Sequence, residues 1–326
     1  MTIALTDQSP VLGDQLPAWG EAGLPSRSKT AGGLLRAILH NGKAMVGSVL
    51  FIVFCVLAIA PQWFTSIRDP NHRAFEVSLP ASAHHLLGTT AFGQDVLAQL
   101  IWGTRQSLVV ALVVGLLSTV LSVIVGVSAA YLGGLADDAL SLITDVFLVI
   151  PTFPLIIVIA AYAGKGNLVV VIVVLVVTGW SYGARQLRAQ TLSLRNREFL
   201  EAARVRGERS WYIILAEVLP TMTSLIIANF LGAALFAVLT AAGLQFIGLG
   251  DPASLSWGTM LHWAESRAAL QTGQVWWAIA PGLCVALLGT AFALLNYAFD
   301  EISNPALRSV RVRRARRLRP AKSAHA

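Results

Sequence analysis

Few residues in this sequence are of a type and spacing that could do chemistry. Asp145 stands in an otherwise apolar run, residues 139–162. A carboxylate inside a bilayer costs about 2.5 kcal/mol or more, so it must face protein or water, as a proton or ion site or as the partner of an arginine on another span. His84 and His85 are potential metal ligands, but no third ligand stands at a recognisable spacing and no His-Glu-x-x-His pattern occurs, which predicts a solvated loop. Gly88 and Gly93 have the glycine spacing of a phosphate-binding loop, yet Gln94 and Asp95 follow where Lys and Ser/Thr are required. Without that lysine the chain is not expected to bind ATP, and with no Gly-x-Ser-x-Gly elbow it does not read as an enzyme acting alone. Cys55 and Cys284 lie in apolar stretches, where a thiol acts as a small hydrophobe.

The segment 195–220 is of another kind. Glu201, Ala202 and Ala203 are followed by Gly207 and then by Leu219 and Pro220, a pattern that predicts two short helices with a glycine joint. Asn196 is the expected N-cap, Glu198 sits in the first turn where the helix dipole favours an acid, and Gly207 can adopt the left-handed conformation that ends a helix. Phe199, Leu200 and Ala203 form a narrow apolar face, and Ala202 and Ala203 leave room for a close partner. Ser210 is the expected cap of the next helix, and Pro220 suits the first turn of the element after it. Composition alone is equally that of an amphipathic loop lying on lipid headgroups.

The elements that must position these residues are membrane spans. Of 326 residues 56% are hydrophobic and 13% charged, about half the charge of a soluble domain. A spanning helix needs about 20 apolar residues, and six stretches qualify: 44–64, one within 106–136, about 139–162, 166–184, one between 218 and 250, and about 275–299. Continuously apolar runs argue for helices rather than a barrel, so the fold expected is an all-α integral membrane protein with six transmembrane helices. Nineteen of the 24 Lys and Arg fall before residue 44, in the loop 185–217 and in the tail from 301; the five on the other side are Arg68, Arg73, Arg105, Lys165 and Arg267. By the positive-inside rule both termini and the 185–217 loop are cytoplasmic. The net charge of +7 equals that of the tail from Glu301 onward, so the excess reads as a topology and anionic-lipid signal, not a nucleic-acid surface. Ala58-Ile59-Ala60 has the small-x-small form of a cleavage site, but the preceding polar region of 43 residues is too long for a signal peptide.

The Glu201-Ala202-Ala203, Gly207, Leu219-Pro220 pattern resembles the "EAA" loop of ABC-importer permeases. Gly88, Thr89, Gly93 and Asp95 followed by Ile101, Gly103, Arg105, Ser107 and Leu108 are similar to one branch, the dipeptide/oligopeptide/nickel permeases, and within it to the C-type subunit. Tyr131, Gly133, Gly134, Asp138, Asp145 and Pro151, then Phe246 to Gly250, Ser256 to Leu261, Trp276-Trp277 and Pro281-Gly282, and finally Asp300, Asn304-Pro305 and Leu307 continue that resemblance over about residues 30–308. It implies a type I ABC-importer permease fold with a cytoplasmic coupling helix between spans four and five, at about 197–206. It also implies a passive subunit that pairs with a homologous second permease, two ATPase subunits that bind the ATP and Mg, and an extracytoplasmic substrate-binding protein, in a bacterial plasma membrane. Glu201, Ala202, Ala203, Gly207, Leu219 and Pro220 are then the ATPase-coupling residues.

The domains expected are a cytoplasmic segment 1–43, a first helix and outer loop 44–104, a five-helix transmembrane domain 105–299 and a basic tail 300–326. Thr90, Gln94, Glu217 and Thr221 depart from the family's usual Asp, Arg, His or Ile, and Asn; the first two bear on substrate or docking partner, the last two on the ATPase. Asp145, Asn229, Gln245 and Asn296 are candidates to line the path or to bond between helices. Trp257, Trp263, Trp276 and Trp277 read as an outer interfacial belt. Within the family dipeptides or short oligopeptides come first as cargo, with nickel chelates or oligosaccharides as alternatives; a stand-alone secondary transporter using Asp145 is the alternative of another class.

Overall fold

The computed structural model describes residues 41–162 and 168–303. Expectations for residues 1–40, Lys165, the start of span four at 166, Asn304-Pro305, Leu307 and the basic tail lie outside the described residues.

Twelve helices follow one another in the described residues: α1 Gly42–Ile59, α2 Val96–Leu132, α3 Gly134–Val149, α4 Thr152–Tyr162, α5 Leu168–Gly179, α6 Ser181–Arg195, α7 Glu198–Val205, α8 Ser210–Ile213, α9 Leu219–Thr221, α10 Thr223–Phe246, α11 Trp257–Ser266 and α12 Val275–Ser303. Five segments are long and apolar enough to cross a membrane: α1, α2, α5 continued by α6, α10 and α12. The bent pair α3 and α4 makes a sixth if it is one span.

That pair covers the expected third span, in which Pro151 and Pro154 are both able to kink the helix. The two helices meet at 86°. Pro151 is the cause: a proline excludes the preceding residue from the α region, and Ile150 is extended at φ −66°, ψ 129°. Pro154 adds no kink, because it falls in the first turn of α4, where its missing N–H would have had no helical partner.

The 37-residue α2 is the axis of the bundle, about 55 Å long at 1.5 Å per residue. Asp95 caps it, its Oδ1 accepting from the Ala98 N–H at 2.8 Å. Small residues let other helices approach: a Cβ at Gly126 would overlap the Ala184 carbonyl on α6, and one at Gly115 would press on Ala234 of α10. Three cores result. One joins α1, α2, α10, α11 and α12 around Phe54, Trp257, Trp277 and Phe292; a second joins α2, α4, α5 and α10 around Ile156, Leu175 and Leu244; the third surrounds α7.

Trp257 and Trp277 are therefore core residues, 0% and 2% exposed, and of the expected belt only Trp276 is well exposed. Their size explains it: an indole fills the wide gaps between helices at the flared end of a bundle, and Trp257 directs its N–H to the Leu100 carbonyl at 3.1 Å. The expectation of a solvated His84-His85 loop fails for His85, whose Nδ1 lies 2.8 Å from Asp95 Oδ2 with its ring edge-on to Phe75. Among the described residues no group of three or more His, Cys, Asp or Glu could hold a metal. Thr90 and Gln94 are buried and bond within the same outer loop, Gln94 Nε2 donating to the Asn71 carbonyl at 3.0 Å.

Candidate functional site

Glu198, Phe199, Leu200, Glu201, Ala202, Ala203, Arg204 and Val205 make up α7, a two-turn helix lying across the end of the bundle. Asn196 is not its N-cap: it closes α6, and the extended cap residue is Arg197. Ser210 is likewise the first residue of α8, whose cap is Arg209. The C-terminus behaves as the sequence predicts, with Gly207 at φ +79°. The Gly207 N–H bonds the Arg204 carbonyl at 2.9 Å and the Glu208 N–H the Ala203 carbonyl at 3.3 Å, so a left-handed residue returns the chain toward α8.

The helix has two faces. Leu200 and Ala203 are fully buried against Val127 and Tyr131 of α2, Leu187 of α6, and Ile213, Val218 and Met222. Ala203 therefore does not face a second protein as expected: the close approach it permits is to this chain's own helices, because only its short side chain fits beneath the helix. Glu201, Ala202 and Val205 point outward, and Glu201 has no partner in the described residues. Arg204 reaches back, its Nη2 donating to the Arg195 carbonyl at 3.1 Å and its guanidinium lying 5.5 Å from the Tyr131 ring centroid.

After α8 the backbone widens into a π-helical turn, Ile214–Val218, before α9. Leu219 packs on the buried core under α7, Pro220 is exposed, and Glu217 is half-buried within the wide turn. Met222, at φ −104° and ψ 7°, separates α9 from α10. The path from α7 into α10 thus passes through two irregular turns, while the path back into α6 is regular helix broken at Asn196 and Arg197.

Two ion pairs tie α3 to α6: that of Asp145 with an arginine of another span is one of the roles its sequence position allows, whereas that of Asp137 has no counterpart in the sequence reading. Arg188 forks onto Asp137, Nε to Oδ1 at 2.6 Å and Nη2 to Oδ2 at 2.9 Å. Asp145, the lone intraspan acid, accepts from Arg185 Nη2 at 2.5 Å, with both side chains more than half exposed. Gly133, at the α2–α3 joint, has φ +68° and leaves no room for a Cβ beside the Arg195 guanidinium. The available signal was the row of arginines at 185, 188 and 195, spaced by three and seven, which places them on one side of α6.

Between α2, α3, α5, α6, α10 and α12 lies a cavity of about 450 Å³ with no charged residue in its wall. Asn229, Asn296, Thr119, Ser122, Thr178 and Gln186 supply its polar groups. Asn229 Nδ2 donates to the Leu225 carbonyl at 3.1 Å and Asn296 Nδ2 to the Ala228 carbonyl at 3.3 Å, which leaves their amide oxygens toward other partners. Gln245 is not with them: it is buried near the far end of α10, where its Oε1 accepts from Ser256 Oγ at 2.6 Å. Asp145 is not in the cavity wall either. Of the four candidates for the path or for bonds between helices, Asn229 and Asn296 stand in the cavity wall, while Gln245 and Asp145 bond to other elements outside it.

The described residues thus form a helical bundle with five or six potential spans, a cavity without charged lining residues and a short helix packed against the bundle. Residues 122–302 match the family described as "Binding-protein-dependent transport system inner membrane component", and the chain belongs to that family. It is similar to the oligopeptide transport system permease protein OppC of Mycobacterium tuberculosis (strain ATCC 25618 / H37Rv), 31% identical over 282 residues that cover 85% of this chain and 95% of that protein. The dipeptide transport system permease protein DppC of Bacillus subtilis (strain 168) is 30% identical over 274 residues, 84% of this chain and 85% of its own. The glutathione transport system permease protein GsiD of Pectobacterium atrosepticum is 29% identical over 276 residues, 84% and 90%.

Proposed function

We propose that this chain is the translocation subunit of an ATP-driven importer for dipeptides or short oligopeptides. The observation that carries the cargo class is that relatives aligned over at least 85% of their own lengths are named for oligopeptides, dipeptides and glutathione, itself a short peptide. In this reading both termini and α7 face the cytoplasm, and the end at Asp95 faces outward. A homologous second permease completes the path, two ATPase subunits dock on the exposed face of α7, and a substrate-binding protein docks on the outer end. ATP and Mg belong to the ATPase subunits.

The geometry supports a mechanical role for α7. Leu200 and Ala203 lock it to α2 and α6, so a displacement imposed on Glu201 and Ala202 moves the bundle instead of a loop. The Arg188–Asp137 and Arg185–Asp145 pairs pass the displacement of α6 to α3, which lines the cavity. ATP binding below then shifts a two-state bundle by differential contacts, exposing the cavity to one side or the other. Asn229 and Asn296 offer amide groups to a peptide backbone without binding any side-chain charge, which fits a path through which varied peptides pass.

The test is uptake of a labelled dipeptide, below saturation, in cells with and without this chain and lacking other peptide importers. Loss of uptake that wild type restores supports the reading; unchanged uptake moves nickel chelates and oligosaccharides ahead. A secondary transporter would use Asp145 as its ion site, but that carboxylate is ion-paired and outside the cavity. Uptake that a protonophore stops before ATP depletion does would favour the secondary transporter.

A further inference from the structure

We propose that Arg73 and Arg267 form a carboxylate-binding cleft on the outer end, and that it receives acidic side chains of the substrate-binding protein. This rests on the importer reading above. The cleft is a second cavity, of about 500 Å³, between the loop that follows α1, the start of α2, α11 and α12; it shares no lining residue with the central cavity.

Two basic residues, Arg73 and Arg267, stand in its wall, and no acid lines it. Both guanidiniums lie over the Phe92 ring, Arg73 at 5.2 Å and Arg267 at 4.7 Å from its centroid. Among the described residues neither has a carboxylate or hydrogen-bond partner. Three other donors of the wall are committed inside the chain, Gln94 Nε2 to the Asn71 carbonyl, Gln99 Nε2 to Gln94 Oε1, and Trp263 Nε1 to the Pro252 carbonyl, while the buried and uncharged Trp277 Nε1 has no partner among the described residues. The free charge of the cleft is thus two exposed guanidiniums, held near each other by one ring. A guanidinium over an aromatic face keeps its in-plane N–H fork available, which matches a carboxylate in two-point geometry. Holding both cations close together without an anion costs repulsion, and an arriving carboxylate relieves it.

The protein source fits better than the cargo. Both arginines are exposed at the tip of the bundle. The central cavity, which cargo must cross, has no charge to continue such recognition. Arginines beside aromatic rings are also the residue types that dominate protein–protein binding energy.

The test uses the complete importer in lipid nanodiscs with the substrate-binding protein of the same system, reading ATPase stimulation against binding-protein concentration. In R73E/R267E the half-saturating concentration is expected to rise by about tenfold or more, with a weaker dependence on salt, while basal ATPase is unchanged. R73Q/R267Q should give an intermediate shift, which guards against misassembly of the reversed variant. Half-saturation within about twofold of wild type in both variants overturns the proposal. A changed KM for dipeptide at saturating binding protein, with half-saturation unmoved, overturns it in favour of a cargo carboxylate. If the binding protein fails to stimulate even wild type, the importer reading falls first and the cleft with it; stimulation of wild type with unshifted variants removes the cleft alone.

Discussion

The two ends of the bundle use arginine in opposite ways. At the α7 end Arg188 and Arg185 are tied to Asp137 and Asp145, so their charge links one helix to another. At the Asp95 end Arg73 and Arg267 have only the Phe92 ring, and the loop around them is held by neutral groups and one His85–Asp95 contact. Charge paired within the chain joins two helices, whereas charge left without an anion is available to one. The α7 helix repeats the contrast on a small scale, with Leu200 and Ala203 buried and Glu201 and Ala202 presented outward.

The largest expected effect breaks the contrast within α7 at its outer face. Glu201→Lys should reduce dipeptide uptake to background while membrane insertion and melting temperature stay at wild-type values, because the Glu201 side chain is exposed and makes no hydrogen bond or ion pair within the described residues. Full uptake by that variant would remove the coupling role. Next is the packing that holds α7 in place: Leu200→Ala should destabilise the detergent-solubilised protein by about 2–5 kcal/mol, read as a lowered midpoint of thermal unfolding, since it empties a fully buried site. The Asp137–Arg188 fork comes third. Arg188→Ala leaves a part-buried carboxylate without its partner at a cost of about 1–3 kcal/mol, and the exchange D137R/R188D should recover part of the loss in a double-mutant comparison. At the other end His85→Ala should lower stability by about 1–3 kcal/mol without changing coupling, read as unaltered ATPase stimulation per bound ATPase subunit. The smallest effect is that of Asp145→Asn: an exposed pair contributes about 0–1 kcal/mol, so thermal stability should barely move. A large loss there would mean that Asp145 does more than pair with Arg185.

Much of the architecture is legible in the residues themselves. Runs of about 20 apolar residues announce the spans, and the Glu201-Ala202-Ala203…Gly207 pattern announces α7, because a left-handed turn and a short amphipathic helix leave local marks. The break of the third span is only half legible. Pro151 signals a bend, but its 86° depends on how α4 packs against α5. The caps at Asn196 and Ser210 are each displaced by one position, since several polar residues in a row offer equivalent starts and the packing of Leu200 chooses among them. The burial of Trp257 has no local mark.

By itself the sequence determined what depends on one helix and its solvent: the number of apolar runs long enough to span, the segments of the chain in which the basic residues collect, and the presence of a short helix between spans four and five. These follow from length and from the cost of placing charge in lipid, quantities that add along a chain. The tertiary structure alone decided which arginine meets which aspartate across 40 and 51 residues, which face of α7 is spent on its own bundle, and that Asn229 and Asn296 share a cavity from which Gln245 and Asp145 are excluded. Those outcomes depend on distances between helices, and such distances are set by the close approaches at Gly126 and Gly115 and by the fit of all side chains at once.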